Sequence, residues 1–382
     1  MPDMEGTLYD ALCYVSQISE LEALANAGVN DPSGDALVSC AQENLVDAVD
    51  MLLRRMSYDK DTLTHMLMRV VKTTVSMGPV RLLVEAGAEV TLKTLCASMR
   101  DDLPEVTRFV LSIGGINVLH EMDDLPLRVA ASRGYHEVVG MLLAEGADVH
   151  AAGDDALQQA AYAGSSRVVK VLLAAGADAT RVDLYNVDAE ITVGMLVNAG
   201  ATDPNSYALR NCAYRGATSI LRLLGTRLHY TKEQREAALM VAVNEKRLEA
   251  VMCLLWAFPN VEVLRALYVA IDQDNPVTAR LLMPRLPEDM QGHVVDRTVA
   301  LGKRSVMDYW LMHGLPLPSM EALKMAADLG HMDMLHDVLA CMDSATLRDV
   351  MEYSHVIMNT GASSGDKPHS CALKLGDSRS CS

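Results

Sequence analysis

Apolar positions along this chain fall into a repeating two-part pattern. In "ALQQAAYAGSSRVVKVLL", from Ala156, a small residue stands at place 1, Leu at 2, small residues at 5 and 6, and Gly at 9. Apolar residues follow at places 13, 14, 16, 17 and 18, and a Gly-Ala-Asp turn begins at place 21. Places 2, 5 and 6 share one face of a helix, and the later set shares one face of a second helix. Gly at place 9 suits a tight helix-to-helix turn, because it accepts a positive φ without steric cost. Each unit therefore predicts a short helix, a tight turn and a longer helix.

The same pattern starts at Ala36, Ala238 and Ala322, with partial matches from Thr94, Pro126, Ala208, Ala266 and Val294. Weaker matches lie near Leu67 and Thr180, and a shortened one covers "LYDALCYVSQISELEALANAG". Successive starts lie roughly 24 to 32 residues apart, which makes roughly twelve units. Neither helix of a unit can bury its stripe alone. Stacked pairs bury all of them in one core, and small residues at places 5 and 6 let neighbouring helices approach closely. The expected fold class is all-α, a helical-hairpin solenoid over residues 1–343. "SATLRDVMEYSHVIMN" then predicts a capping helix over 344–359. Residues 360–382, rich in Gly and Ser and without periodicity, are expected to be disordered.

Two stretches make the pattern specific. "LPLRVAASRGYHEVVGMLLAEGADVHA" and its neighbour resemble ankyrin repeats, whose pattern runs T-P-L-H-x-A-A, G-H-x-x-V-V-x-L-L-L, G-A-D-V-N-A. Leu125 stands for the Thr, Arg128 for the His and His150 for the Asn. The resemblance implies an ankyrin-type solenoid with a concave protein-binding side. Most units are shorter than the family's, and the missing residues come from the loop that builds its β-hairpin fingers, so shortened fingers are expected. The "D-A-L" openings at Asp35 and Asp155 resemble divergent ankyrin arrays of giant DNA viruses of amoebae, with bacterial or protist arrays as the alternative.

Composition narrows the function. Half of the 382 residues are hydrophobic, yet Phe and Trp number two each, so Ala, Leu, Val and Met must fill the core. With 33 Lys and Arg against 50 Asp and Glu, the formal charge is −17, and no basic run is present. Nucleic-acid binding is therefore not expected. The eight Cys include no C-x-x-C pair, and no apolar run approaches the length of a membrane span. The expectation is a soluble monomer of the cytoplasm with unpaired thiols, no membrane contact and no cofactor.

Candidate chemistry dissolves into the repeat. "GKRS" at 302–305 lacks the other Gly of a phosphate-binding loop, and Gly302 falls on place 9. His331 and His336 are five apart, where two metal ligands on one helix face want four. His331 also occupies place 10, where the ankyrin repeats that the chain resembles commonly carry a His that ties the turn. Cys40 and Cys212 fall on place 5 and read as small core residues. Leu286-Pro287-Glu288 resembles the opening of an F-box, a module that docks onto a ubiquitin-ligase scaffold. Because 283–299 lies inside the array and Gly302 and Gly314 keep register, a loop between units is expected there. No set of acid, base and nucleophile stands apart, so no enzyme is expected.

A partner surface is read from places 3, 7 and 8 of the first helices. These hold Arg128, Arg133, Gln158, Tyr162, Arg210, Tyr214 and Arg215, then Met240 and Glu245, then Tyr268 and Gln273. Arg and Tyr dominate binding energy at interfaces. The group is locally basic and fits a protein partner with an acidic patch; the alternative is a solvated surface with scattered long side chains. Two functions remain: a non-catalytic scaffold holding a cellular or host protein, or an adaptor that delivers a target to a ubiquitin ligase.

Overall fold

A computed structural model describes residues 18–73, 76–99, 102, 104–313 and 315–341. The capping helix expected over 344–359 and the tail over 360–382 lie outside these residues, as does Gly314. The chain divides into two compact units, Met1–Tyr230 and Thr231–Ser382, each taken by itself below. The boundary falls inside the stretch expected as one array.

The first unit begins with α1 (Ile18–Asn26) and continues as antiparallel hairpins: α2 (Asp35–Gln42) with α3 (Val46–Arg55), α4 (Lys60–Thr73) with α5 (Met77–Glu85), and α6 (Leu92–Ser98) with α7 (Pro104–Leu119). Then come α8 (Glu121–Arg133) with α9 (His136–Ala144), and α10 (Ala151–Tyr162) with α11 (Ser166–Ala174). Two 3₁₀ turns, Ala179–Arg181 and Leu184–Asn186, precede α12 (Glu190–Asn198), and α13 (Tyr207–Arg215) pairs with α14 (Thr218–Arg227). The second unit holds α15 (Lys232–Asn244) with α16 (Leu248–Ala257), α17 (Leu264–Asp272) with α18 (Pro276–Leu282), α19 (Glu288–Ala300) with α20 (Arg304–Met312), and α21 (Met320–Asp328) with α22 (Met332–Ala340). All described elements are helical.

Within a unit, first helices pack on the first helices of adjacent hairpins, and second on second. Ala156, Leu157, Ala160 and Ala161 are buried, and Val168, Val169 and Leu172 face them from α11. Full burial of each Leu or Val contributes about 1.5–3 kcal/mol, so the stripe rather than helix propensity holds a hairpin in place. Places 16 and 18, Val171 and Leu173, are only half-buried, so the stripe of α11 is narrower than expected. Place 9 has a positive φ in every unit where the pattern was placed from Ala36, Thr94, Pro126, Ala156, Ala208, Ala238, Ala266, Val294 or Ala322. Asn44, Asp102, Lys246 and Asp274 adopt it without being Gly.

Three expectations need correction. First helices are not always the shorter ones: they are in the hairpins of α2, α6 and α13, with 8, 7 and 9 residues against 10, 16 and 10, but α4 has 14 residues, and α15 and α19 have 13 each, against 9 or 10 in their partners. The three longer ones follow connections without a Gly-Ala-Asp turn, and the freed residues extend the helix backwards. At α15 the extension is held by a capping box between Thr231 and Gln234. Residues 283–299 are not a loop, because α19 begins at Glu288 just after Pro287 and buries Val294, Val295, Thr298 and Val299. Where shortened fingers were expected, the chain makes left-handed turns at Met122–Asp124 and Ala152–Asp154, and no strand occurs among the described residues. Too few residues remain there for two strands to pair.

Candidate functional site

Side chains on the first-helix face of the first unit tie neighbouring hairpins together. The Gln158 side chain donates to the Asp183 carbonyl at 3.1 Å and accepts from the Asp183 N–H at 2.6 Å. Asn211 of α13 donates to the Tyr185 carbonyl at 2.6 Å. Three successive layers, α10, the turn at Leu184–Asn186 and α13, thus form one hydrogen-bonded platform. The turn replaces a first helix because Asp183 caps its own next residues, accepting from the Tyr185 N–H at 2.9 Å, and Leu184 is the one buried residue of the turn, flanked by buried Val182 and Val187.

Four tyrosines stand on this platform. Tyr162, Tyr185, Tyr207 and Tyr214 are 42%, 42%, 53% and 54% exposed. Tyr207, Asn211 and Tyr214 share a face of α13 at i, i+4 and i+7. Tyr162 is hydrogen-bonded to Gln158, and partial burial with the nearby Asp183 charge pushes its hydroxyl pKa up. Exposed aromatic area of this density is unusual on a surface otherwise rich in carboxylates. Tyr162 and Tyr214 are among the positions named from the sequence; Tyr185 and Tyr207, on places 6 and 0 of their units, are not.

The arginines are less free than their positions implied. Arg128 donates to Asp155 of the next hairpin at 2.5 Å, and Arg215 pairs with Asp188 of the preceding one. The Arg215 guanidinium holds the Asp188 carboxyl below the usual range. Both positive charges are matched by a carboxylate. Arg133 donates instead to the Met99 carbonyl at 2.9 Å and the Cys96 carbonyl at 3.3 Å, which carry no formal charge. Arg210 reaches the Ser206 and Asn205 carbonyls, and its guanidinium lies 5.0 Å from the Tyr207 ring centroid. Of these four arginines, Arg133 and Arg210 are thus the two whose hydrogen bonds go to main-chain carbonyls rather than to a carboxylate.

Tyr268 lies in the second unit. Its ring is covered by the Arg297 guanidinium at 4.6 Å, and Arg297 also pairs with Asp272 at 3.3 Å. Gln273 donates to the Asn244 carbonyl at 3.0 Å. Beside them runs a shallow groove of about 340 Å³, lined in part by Asp296, Arg297, Leu301, Glu321 and Met325.

The remaining candidates are structural. Gly302 turns the chain between α19 and α20, Lys303 donates to the Asp272 carbonyl at 2.6 Å, Arg304 pairs with Asp337 at 2.6 Å, and Ser305 donates to Asp274 at 3.0 Å. Every polar side chain of "GKRS" is thus spent on adjacent hairpins. The His331 ring packs against Gly302 so closely that a Cβ there would come within 2.5 Å of its Nδ1. Cys40 and Cys212 are buried in the core. No group of three or more His, Cys, Asp or Glu that could hold a metal occurs among the described residues, and none of their helices is long and apolar enough to cross a membrane.

Residues 95–183 match the family model for ankyrin repeats, in 3 copies. Repeats of this kind are generally protein–protein interaction modules and are typically non-catalytic. No curated protein matches the chain. The matched stretch covers α7 to α11 and includes Arg128, Arg133, Gln158 and Tyr162.

Proposed function

We propose that the chain is a non-catalytic scaffold that holds a protein partner on the first-helix face of its first unit, with Tyr162, Tyr185, Tyr207 and Tyr214 as anchors. The observation that carries this reading is their exposure on a platform fixed by the Gln158–Asp183 and Asn211–Tyr185 hydrogen bonds. Tyrosine supplies large contact area at low side-chain entropy cost, and a rigid platform lowers the ordering cost further. Arg133 and Arg210 still favour an acidic patch on the partner; Arg128, Gln158 and Arg215 position the platform rather than recognise. Tyr268 is not among the anchors, because it lies in the second unit and is only half exposed. A net charge of −17 disfavours a nucleic acid as the partner.

The adaptor reading through 283–299 is less well supported, since α19 buries its apolar face in its own unit. The deciding experiment is affinity capture from cell extract with residue-level cross-linking. Partners captured by the native chain should be lost from the Tyr162→Ala, Tyr185→Ala, Tyr214→Ala triple variant and kept by a variant with 288–293 replaced. Undiminished capture by the triple variant overturns the reading.

A further inference from the structure

We infer that residues 344–359 dock as one more first helix on the outward side of α21, held there by an ion pair between Lys324 and Asp349.

Contacts in three other seams show which position of a first helix reaches the layer that follows it. At place 3, Arg128 donates to Asp155 at 2.5 Å, Gln158 donates to the Asp183 carbonyl at 3.1 Å, and the Tyr268 ring lies under the Arg297 guanidinium at 4.6 Å. Each partner belongs to the next layer. Place 4 looks the other way: Arg297 pairs with Asp272 of α17, and Met325 lines the groove shared with α19. In α21, the final first helix among the described residues, place 3 is Lys324.

The repeat register says what stands opposite. Equally spaced frames begin at Ala266, Val294 and Ala322, and one more such step leads to Val350. Places 1, 2 and 5 are buried at Val294, Val295 and Thr298, and again at Ala322, Leu323 and Ala326. Val350, Met351 and Ser354 fill the same places in the next frame, on one face of a helix. His355 takes place 6, where Val299 and Ala327 precede it. A polar residue there suits a terminal layer, whose outer face meets water.

Charge fits the same register. Asp349 falls on place 0, which is the place of Asp155. Lys324 and Asp349 thus repeat the relation of Arg128 to Asp155, a cation at place 3 of one layer and a carboxylate at place 0 of the next. The path is short as well. α22 ends at Ala340, and connections of about two to eight residues are ordinary between packed helices.

Seated there, the helix closes the stack. An array that ends without a polar cap leaves an apolar layer open to a second copy, and head-to-tail contacts of that kind do not close on themselves.

The test couples lysines directly to carboxylates in the full-length chain with a water-soluble carbodiimide, followed by peptide mapping. Light and heavy isotope-labelled chains are mixed first, so that links within one molecule are told from links between two. Lys324 should couple to Asp349 within one molecule, and the Lys232–Glu262 pair, at 2.5 Å, serves as the control. Val350→Asp should abolish the first link, keep the second, and speed hydrogen exchange in α21 at least about tenfold. Lys324→Glu and Asp349→Lys alone should each speed it about two- to fivefold, the range for a surface ion pair, and the two together should restore the native rate. Exchange in α15 to α18 should stay native throughout, because the substitutions lie beyond those helices. Failure of Lys324 to couple while the control couples, coupling only between molecules, or native exchange of α21 in Val350→Asp each overturns the inference.

Discussion

The Tyr58 hydroxyl donates to Asp31 at 3.2 Å, and the Tyr230 hydroxyl donates to Asp203 at 3.1 Å, each tyrosine following its aspartate by 27 residues. The likeness extends to the surroundings. Asp31 accepts from the N–H groups of Ala36 and Leu37, and Asp203 from those of Ala208 and Leu209. Arg55 donates to Asn26 and Arg227 to Asn198, both across 29 residues. Residues 26–63 and 198–235 align without a gap, sharing N-A-G-x-x-D-P, A-L-x-x-C-A and R-x-x-Y-x-K. One design is used twice: an aspartate starts a first helix, and a tyrosine from the following connection fastens it.

Removing either hydroxyl should therefore destabilise locally. Tyr58→Phe leaves the fully buried Asp31 with its two backbone donors only. The expected cost is about 1–2 kcal/mol, read as a lower urea midpoint at neutral pH. An unchanged midpoint would mean that the tie adds nothing.

Asp31 also makes a pH prediction. Burial is the largest influence on its carboxyl and raises the pKa above 3.8, outweighing three hydrogen bonds that lower it. A folded pKa above the unfolded one means that this group favours the fold most below the unfolded value, and that the benefit is lost as pH rises through the folded one. Asp31→Asn should flatten that part of the stability–pH curve while the rest keeps its shape. Urea midpoints between pH 3 and pH 7 decide it; parallel curves would contradict the assignment.

Gly302→Ala tests the close turn. At φ +66° an L side chain is strained, and its Cβ would stand 2.5–2.7 Å from the His331 ring. A loss of about 2–3 kcal/mol is expected from strain and contact together. His331→Ser in the same chain should restore only the contact part. Full recovery would show that the backbone conformation costs nothing.

Thiol labelling offers a separate check. Burial pushes the Cys212 thiol up to about 12, and Cys40 and Cys253 are also buried, whereas Cys341 is exposed. Brief alkylation of the native chain at pH 8, followed by peptide mapping, should mark Cys341 and spare the other three until denaturant is added. Rapid labelling of Cys212 would contradict its place in the core.

The repeat was legible because core packing has a sequence period. Ala160, Ala161 and the left-handed place 9 all follow from close helix approach and tight turning, and both leave marks in residue type. The platform was only half legible. Arg128 and Arg215 looked like free cations because their carboxylates, Asp155 and Asp188, sit 27 residues away in neighbouring hairpins, and no local pattern announces such a pair. The turn at Leu184–Asn186 was hidden for a related reason: a unit shortened there still keeps two apolar residues in step. Residues 283–299 read as a loop because Gly302 and Gly314 keep the repeat register through the array there, yet register leaves open how the residues before a unit fold, and Glu288 starts a helix just after Pro287.

Asp102 accepts from the N–H groups of Glu137 and Val138 at 2.8 and 3.2 Å, so the turn between α6 and α7 caps a helix belonging to the next hairpin. The start of α9 cannot fray by itself, because its first free amides are held from outside. Amide protons there should exchange with solvent only when the two hairpins part, at a rate set by their mutual adhesion rather than by end-melting of a single helix. Neighbours in such a stack open as couples, and a partner seated across several of them would slow every seam it spans.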